Sequence, residues 1–275
     1  MPTCADITAV TIPCVNDPRG DLAFIQHPGA LPFAIGGVEW LCADAPGPMS
    51  ALRVDGPVML VALIGRVEAT VDSGTADDGR FTLQAANSAI IVEKDCNVAL
   101  TALSERAVVL ALTSGARNER EAPATGAPDA HATSNLDCVR LVDLPRHYSG
   151  NALRVRVDNG PRPTLPFDVE RVFYLFNVPA GSMRGGHSHF RGQEIITAVS
   201  GRCDVTLDDG VTRRTWRLDS PDRGLYVPCG LWRTIDKFSP DTICLVLTSI
   251  TFDEADYVRN FDDFLRLTSN KRNGR

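Results

Sequence analysis

Short apolar runs alternate with polar positions along the whole chain, and Gly, Pro, Asn or Asp closes most of them. Alternation at period two marks strands with one buried face. The spacing predicts strands at Val58–Ile64, Val67–Val71, Ala89–Val92 and Val108–Leu112. It predicts others at Val172–Phe176, Glu194–Val199, Cys203–Leu207, Gly224–Val227 and Ile243–Leu247. Asp-Asp-Gly at 77–79 and again at 208–210 is a hairpin-turn signal. Only the tail, roughly Asp253–Leu267, has helical phrasing. Acidic residues lead it, and Tyr257, Phe261, Phe264 and Leu265 recur at spacings of three and four. The pattern is that of an all-β chain with a short C-terminal helix.

The pattern is also written twice. Leu31-Pro-Phe-Ala-Ile-Gly-Gly-Val-Glu-Trp-Leu aligns with Leu165-Pro-Phe-Asp-Val-Glu-Arg-Val-Phe-Tyr-Leu, Gly65-Arg66 with Gly201-Arg202, and Leu110-Ala-Leu-Thr-Ser with Leu245-Val-Leu-Thr-Ser. The offset stays near 135 residues. Residues 115–136 have no periodicity and are rich in Ala, Pro, Gly, Ser and Thr, which reads as a linker. The expected organisation is a first barrel over 1–114, a linker over 115–136 and a second barrel over 137–275.

Composition narrows the class. A chain of 275 residues with 44% hydrophobic content can bury a large core. The N-terminus lacks a basic segment followed by a long apolar run, and no stretch is long enough to span a membrane, so a cytoplasmic protein is expected. Eight cysteines form no C-x-x-C pair and no zinc spacing, and read as reduced core residues. Residues 1–136 hold 8 Lys and Arg against 16 Asp and Glu, whereas 137–275 hold 20 against 18. Arginines clustered near a cavity in an acidic protein suit a small anionic substrate and not a nucleic-acid backbone.

The chemistry concentrates in Gly181-Ser-Met-Arg184-Gly-Gly-His187-Ser-His189, followed by Glu194 and Gly201. Histidines two apart on a strand project from one face, so both imidazoles can enter one cavity, with Glu194 reaching it after a turn. The chain has five histidines in all, and two of them fall in this frame. The spacing G-x5-H-x-H-x4-E-x6-G is the first motif of the cupins, and its barrel is a jelly roll. The first copy has Ser50, Arg53 and Asp55 opposite Arg184, His187 and His189, so one working site per chain is expected, in the second copy.

Residues 165–267 resemble, more narrowly, the sugar 3,4-ketoisomerases, the WxcM-like cupins that act on dTDP-4-keto-6-deoxyglucose. The matching phrases are Pro166-Phe167, Arg171-Val-Phe-Tyr174, Arg184-Gly-Gly-His-Ser-His189, Ser200-Gly201, Leu207-Asp-Asp-Gly210, Gly224-Leu-Tyr-Val-Pro228, Trp232 and Phe252-Asp-Glu-Ala-Asp-Tyr-Val-Arg259. The resemblance implies a ketoisomerase in deoxyamino-sugar biosynthesis. It implies His189 as the principal acid and base, with His187 as its partner or a hydroxyl-binding group. An enediolate needs donors aimed at its oxygens, and Arg184, Arg233 and the Tyr174 hydroxyl are the candidates. Trp232 either packs or stacks on substrate. Glu194 orients an imidazole, binds a sugar hydroxyl or ligates a metal.

His187, His189 and Glu194 would satisfy a facial metal triad, but Arg233 stands where cupins place a further histidine, and a cation there repels a metal. The expectation is catalysis with no metal and no cofactor. The family's opening phrase D-x-R-G-x-L occurs only in the first copy, at Asp17-Pro-Arg19-Gly-Asp-Leu22. Since members resemble dimers that exchange N-terminal strands, the chain reads as a fused pseudo-dimer. It would act as a monomer or a homodimer, with segment 14–27 completing the second site and Arg19 binding substrate. Three features depart from the family: Phe190 in place of Lys, Glu194 in place of Gln, and two barrels instead of one. Alternative readings are a dTDP-4-keto sugar 3,5-epimerase, a metal-dependent cupin oxygenase and a non-catalytic binding bicupin.

Overall fold

The computed structural model describes residues 7–54, 56–72, 79–92, 96–114 and 136–273. Of the expected linker only Leu136 falls among them. Asp77 and Asp78, Asp55 and the side chain of Arg53 lie outside them. The chain is all-β with one C-terminal helix, Phe261–Asn273. Among the described residues no helix is long and apolar enough to cross a membrane.

The chain forms two compact units, and neither is a continuous half of the sequence. The first gathers described residues from 7–15, 23–114 and 144–168; the second gathers 16–22, 136–143 and 169–273. A short piece of each half thus belongs to the other unit.

In the first unit a seven-stranded antiparallel sheet runs Ile7–Thr11, Ser88–Val92, Val58–Ile64, Ala107–Ser114, Ile35–Ala43, Ala152–Asp158, Arg146–Ser149. A second sheet runs Gly47–Val54, Cys96–Ala102, Val67–Asp72, Gly79–Leu83. The core lies between them, with Leu41, Leu60 and Val109 from one sheet and Met49, Val67 and Leu100 from the other.

The second unit repeats this plan. Its larger sheet includes, in order, Arg140–Asp143, Arg223–Val227, Glu194–Ser200, Ile243–Thr248 and Arg171–Phe176. Its smaller sheet runs Arg213–Leu218, Cys203–Asp208, Trp232–Asp236, Arg184–His189, Tyr257–Val258. Glu194–Ser200 lies in mid-sheet with its first six residues buried, which is why its sequence is a near-continuous apolar run instead of an alternating one. Arg213–Leu218 is an edge, and its exposed arginines discourage pairing with another chain. Leu175, Ile196, Val205 and Val246 meet between the sheets, each burial worth about 1.5–3 kcal/mol. The hairpin expected at 208–210 forms there: Gly210 has φ +84°, and Asp209 Oδ1 accepts from the amides of Val211 and Thr212.

The tail differs from its expected form. Its helix starts at Phe261, where Asn260 Oδ1 accepts from the amides of Asp262 and Asp263. Residues Glu254–Asp256 are a 3₁₀ turn, and Tyr257–Val258 pairs with Ser188–His189. The acidic residues that look like a helix start therefore lead a strand into the histidine pair.

Candidate active site

The site sits in the second unit, where strand alternation decides which side chains can meet. Glu194 shares the inward face of its strand with Ile196 and Ala198, Arg233 shares one with Ile235, and Arg171 shares one with Phe173 and Leu175. A register shift between Gly185 and His187 marks a bulge in the histidine strand. Gly185 and Gly186 sit at φ +84° and +72° there, a region most residues avoid. A Cβ on Gly185 would fall 2.8 Å from the Arg233 carbonyl oxygen.

His189 is 2% exposed and meets a carboxylate at each ring nitrogen. Its Nδ1 lies 2.9 Å from Asp256 Oδ2, and its Nε2 lies 3.2 Å from Glu194 Oε1. Arg233, also 2% exposed, places Nη1 at 2.8 Å from Glu194 Oε2 and 3.1 Å from His187 Nε2. The imidazoles of His187 and His189 meet edge to face at 5.0 Å, and the Tyr257 ring lies 4.3 Å from His189 and 5.1 Å from His187. Arg171 Nη2 donates to the Tyr257 hydroxyl at 3.1 Å. Three guanidinium nitrogens, Nε of Arg171 and Nε and Nη2 of Arg233, are buried without a hydrogen-bond partner. Orphaned buried donors are costly, so these are positions where an anionic or carbonyl oxygen of a ligand would be stabilised.

Electrostatics separates the two histidines. Burial, then the Arg233 guanidinium, pushes His187 down to about 3, which keeps it neutral at physiological pH. Burial alone would raise Glu194, but Arg233 and the His189 contact outweigh it and hold the carboxyl well below its usual range. Asp256 is likewise lowered against its burial, by His189 and by the amides of Arg191 and Gly192.

His187, His189 and Glu194 offer ligand atoms within 4.8 Å of one another. Their geometry does not fit a divalent cation. Glu194 and His187 both already face the Arg233 guanidinium, and both nitrogens of His189 face carboxylates. A metal at this point would sit against a buried positive charge.

The structure brings together four of the sequence candidates, His187, His189, Glu194 and Arg233. Arg184 lies at the start of the same strand, where burial lowers its pKa and Nη1 donates to the Gly20 carbonyl. Arg19 is exposed beside it and chelated by Asp17, with Nε and Nη2 at 2.9 and 2.8 Å from the carboxylate. Trp232 packs on the C-terminal helix, its ring 5.1 Å from Phe261 and 5.7 Å from Phe264. Tyr174 is fully buried on the opposite strand face from Arg171 and Phe173, with its ring 5.8 Å from Phe176. Alternation turns it away from the inward face that carries Glu194 and Arg233. The residues missed are Asp256, Tyr257 and Arg171. All three stand in the sequence phrases matched above, but nothing in the spacing marks a carboxylate for burial.

The first unit has no equivalent constellation among its described side chains. Val58, which pairs with Thr113, occupies the place of Glu194, which pairs with Thr248. Its buried Glu39 is tied to Arg154 at 2.5 Å and Arg156 at 3.4 Å.

The family described as WxcM-like, C-terminal matches residues 138–269. TDP-4-oxo-6-deoxy-alpha-D-glucose-3,4-oxoisomerase of Aneurinibacillus thermoaerophilus is 39% identical over 100 residues, which are 36% of this chain and 72% of the relative. Among solved structures, a 3,4-ketoisomerase from Thermoanaerobacterium thermosaccharolyticum in complex with TDP-4-keto-6-deoxyglucose is 26% identical, with a TM-score of 0.45 over 48% of this chain and 94% of that one. A TDP-fucose-3,4-ketoisomerase from Campylobacter jejuni is 29% identical, with a TM-score of 0.45 over 48% and 97%. With the histidine pair, its arginine and the C-terminal phrase all in one barrel, the chain belongs to the WxcM-like sugar 3,4-ketoisomerase family and is an isomerase.

Proposed function

We propose that the second unit moves a carbonyl from C4 to C3 of a TDP-linked 4-keto-6-deoxyhexose, with His189 as the proton carrier. The observation that supports this most is the setting of His189, buried between two carboxylates, one of which also holds Arg233, whose Nε and Nη2 are unused. TDP-4-keto-6-deoxyglucose is the substrate carried in the relative's name, and the arginine-rich second half suits its diphosphate.

The reaction relocates two protons. The C3 proton goes to C4, and the proton of the C3 hydroxyl goes to the C4 oxygen, through a shared enediolate. Asp256 holds Nδ1 of His189 in the shorter of its two carboxylate contacts, and Nε2, on the Glu194 side, takes the carbon-bound proton and returns it. Such transfer typically contributes about 10²–10⁴-fold. His187, kept neutral, positions a hydroxyl instead of exchanging protons. The free N–H groups of Arg233 and Arg171, with the Tyr257 hydroxyl that Arg171 Nη2 holds, serve the enediolate oxygens. Tyr257, rather than Tyr174, takes the part of the hydroxyl donor in this reading. No step passes through a metal.

Proton NMR of TDP-4-keto-6-deoxyglucose with chelator-treated protein tests this reading. A 3-keto product at a rate unchanged by added divalent cation is the expected outcome. A product that keeps its C4 carbonyl, or turnover that returns only with metal, would sink it and favour the epimerase or the metal-dependent reading.

A further inference from the structure

We propose that Asp256 is a positioning residue that locks His189 in the tautomer with its proton on Nδ1, a role that rests on the proposed isomerisation. Asp256 is 1% exposed, and each oxygen of its carboxylate is committed. Oδ1 accepts the Arg191 amide at 2.7 Å; Oδ2 accepts the Gly192 amide at 3.2 Å and faces His189 Nδ1 at 2.9 Å. An ionised carboxylate only accepts, and His189 meets one at each nitrogen. The Asp256 contact at Nδ1, 2.9 Å, is the shorter, while Glu194, 3.2 Å from Nε2, is already held by Arg233 Nη1 at 2.8 Å, so the proton sits on Nδ1 and Nε2 is left for chemistry.

The local backbone is built to allow this approach. A Cβ at Gly192 would lie 2.9 Å from Asp256 Oδ2 and 3.4 Å from His189 Cγ, so a side chain there would push the carboxylate off the imidazole. Pairing of Ser188–His189 with Tyr257–Val258 sets Asp256 next to the histidine strand, and the Asp256 carbonyl in turn accepts the Phe190 amide at 2.9 Å. The carboxylate is therefore clamped by the loop that follows the histidine it orients.

Asp256→Asn tests the lock without removing volume. Because the Arg191 amide makes the shorter bond, the asparagine oxygen stays on it, and the new NH₂ faces Nδ1. Nδ1 must then accept, and the proton moves to Nε2. A histidine of the wrong tautomer keeps its place but cannot act as base. The expected kcat loss is about 10²–10⁴-fold with KM changed less than about threefold. The ¹⁵N shifts of the His189 ring, in protein labelled at histidine, should show Nδ1 protonated in wild type and unprotonated in the variant. The idea is overturned if the variant keeps kcat within about threefold, or if it loses kcat while Nδ1 keeps its proton, since Asp256 would then be scaffold only. Should the variant not fold, the wild-type spectrum decides alone, and an unprotonated Nδ1 overturns the assignment. The tautomer is read without substrate, so it stands or falls separately from the identity of the sugar.

Discussion

At the scale of single residues, one buried network holds both the chemistry and part of the stability. His187 titrates near 3 in the fold against about 6.5 when unfolded. The unfolded state therefore binds more protons between those values, and stability falls as pH drops from 6.5. Glu194, also lowered, adds its own loss only below its unfolded value near 4.5. Between pH 6.5 and 5 the unfolding free energy should thus decline by up to about 1.4 kcal/mol per pH unit, and His187→Asn should flatten that slope in urea titrations. The buried Arg233–Glu194 pair gives a second test. Arg233→Met strands an ionised carboxylate and should cost about 3–5 kcal/mol, whereas Arg233→Met combined with Glu194→Gln should recover much of it. Equal losses in the single and double variants would contradict the pairing. The histidine pair, Glu194 and Arg233 were legible because their spacing in the chain is itself the signature. The same reasoning could not decide the facing of Tyr174 or Trp232, since an aromatic on a strand reads alike whether it faces the cavity, the outer side of the sheet or a helix.

At the scale of elements, the bulge at Gly185–Gly186 turns a regular strand into a site. Both glycines adopt positive φ, but only Gly185 has backbone against the place of its missing Cβ, whereas Gly186 has nothing within 4 Å. Gly186→Ala should cost about 1–2 kcal/mol from φ alone. Gly185→Ala must also displace the Arg233 carbonyl, and should cost more while lowering kcat. Thermal unfolding and initial rates on both variants would show the order, and equal effects would contradict it. The strand positions were legible from alternation and from the hairpin signal at 208–210. The C-terminal run was not. Its acidic residues and its apolar spacing fit a helix start equally well, and only the pairing of Tyr257–Val258 with the histidine strand delays the helix to Phe261.

At the scale of the molecule, residues 16–22 cluster with the second unit although they lie in the first half of the sequence. Among the contacts that join them to it are Arg184 to the Gly20 carbonyl, Asn177 Nδ2 to Asp21 Oδ2 at 2.9 Å, Gly20 against Val178, and Leu22 against the second core. A Cβ at Gly20 would lie 2.7 Å from Val178 Cγ2 and 2.8 Å from its Cα. Gly20→Ala, far in sequence from the histidines, should therefore weaken substrate binding at the second unit, and an unchanged KM would argue against that segment serving the site. The internal repeat made the doubling visible, and the misplaced D-x-R-G-x-L phrase hinted at the exchange. That phrase pointed to segment 14–27, of which 16–22 clusters with the second unit, whereas the membership of 144–168 in the first unit was hidden, because pairing between distant strands leaves no local pattern. The central claim is that His189 alone carries a proton from C3 to C4, and the fate of deuterium tests it most directly. In D₂O, wild type should give a 3-keto sugar whose C4 carries the hydrogen that His189 returns, protium where transfer outpaces exchange with solvent and deuterium where it does not, and His189→Asn should give neither product nor exchange at C3. Deuterium entering at C5 with the carbonyl unmoved, or continued exchange at C3 in the His189→Asn protein, would contradict it.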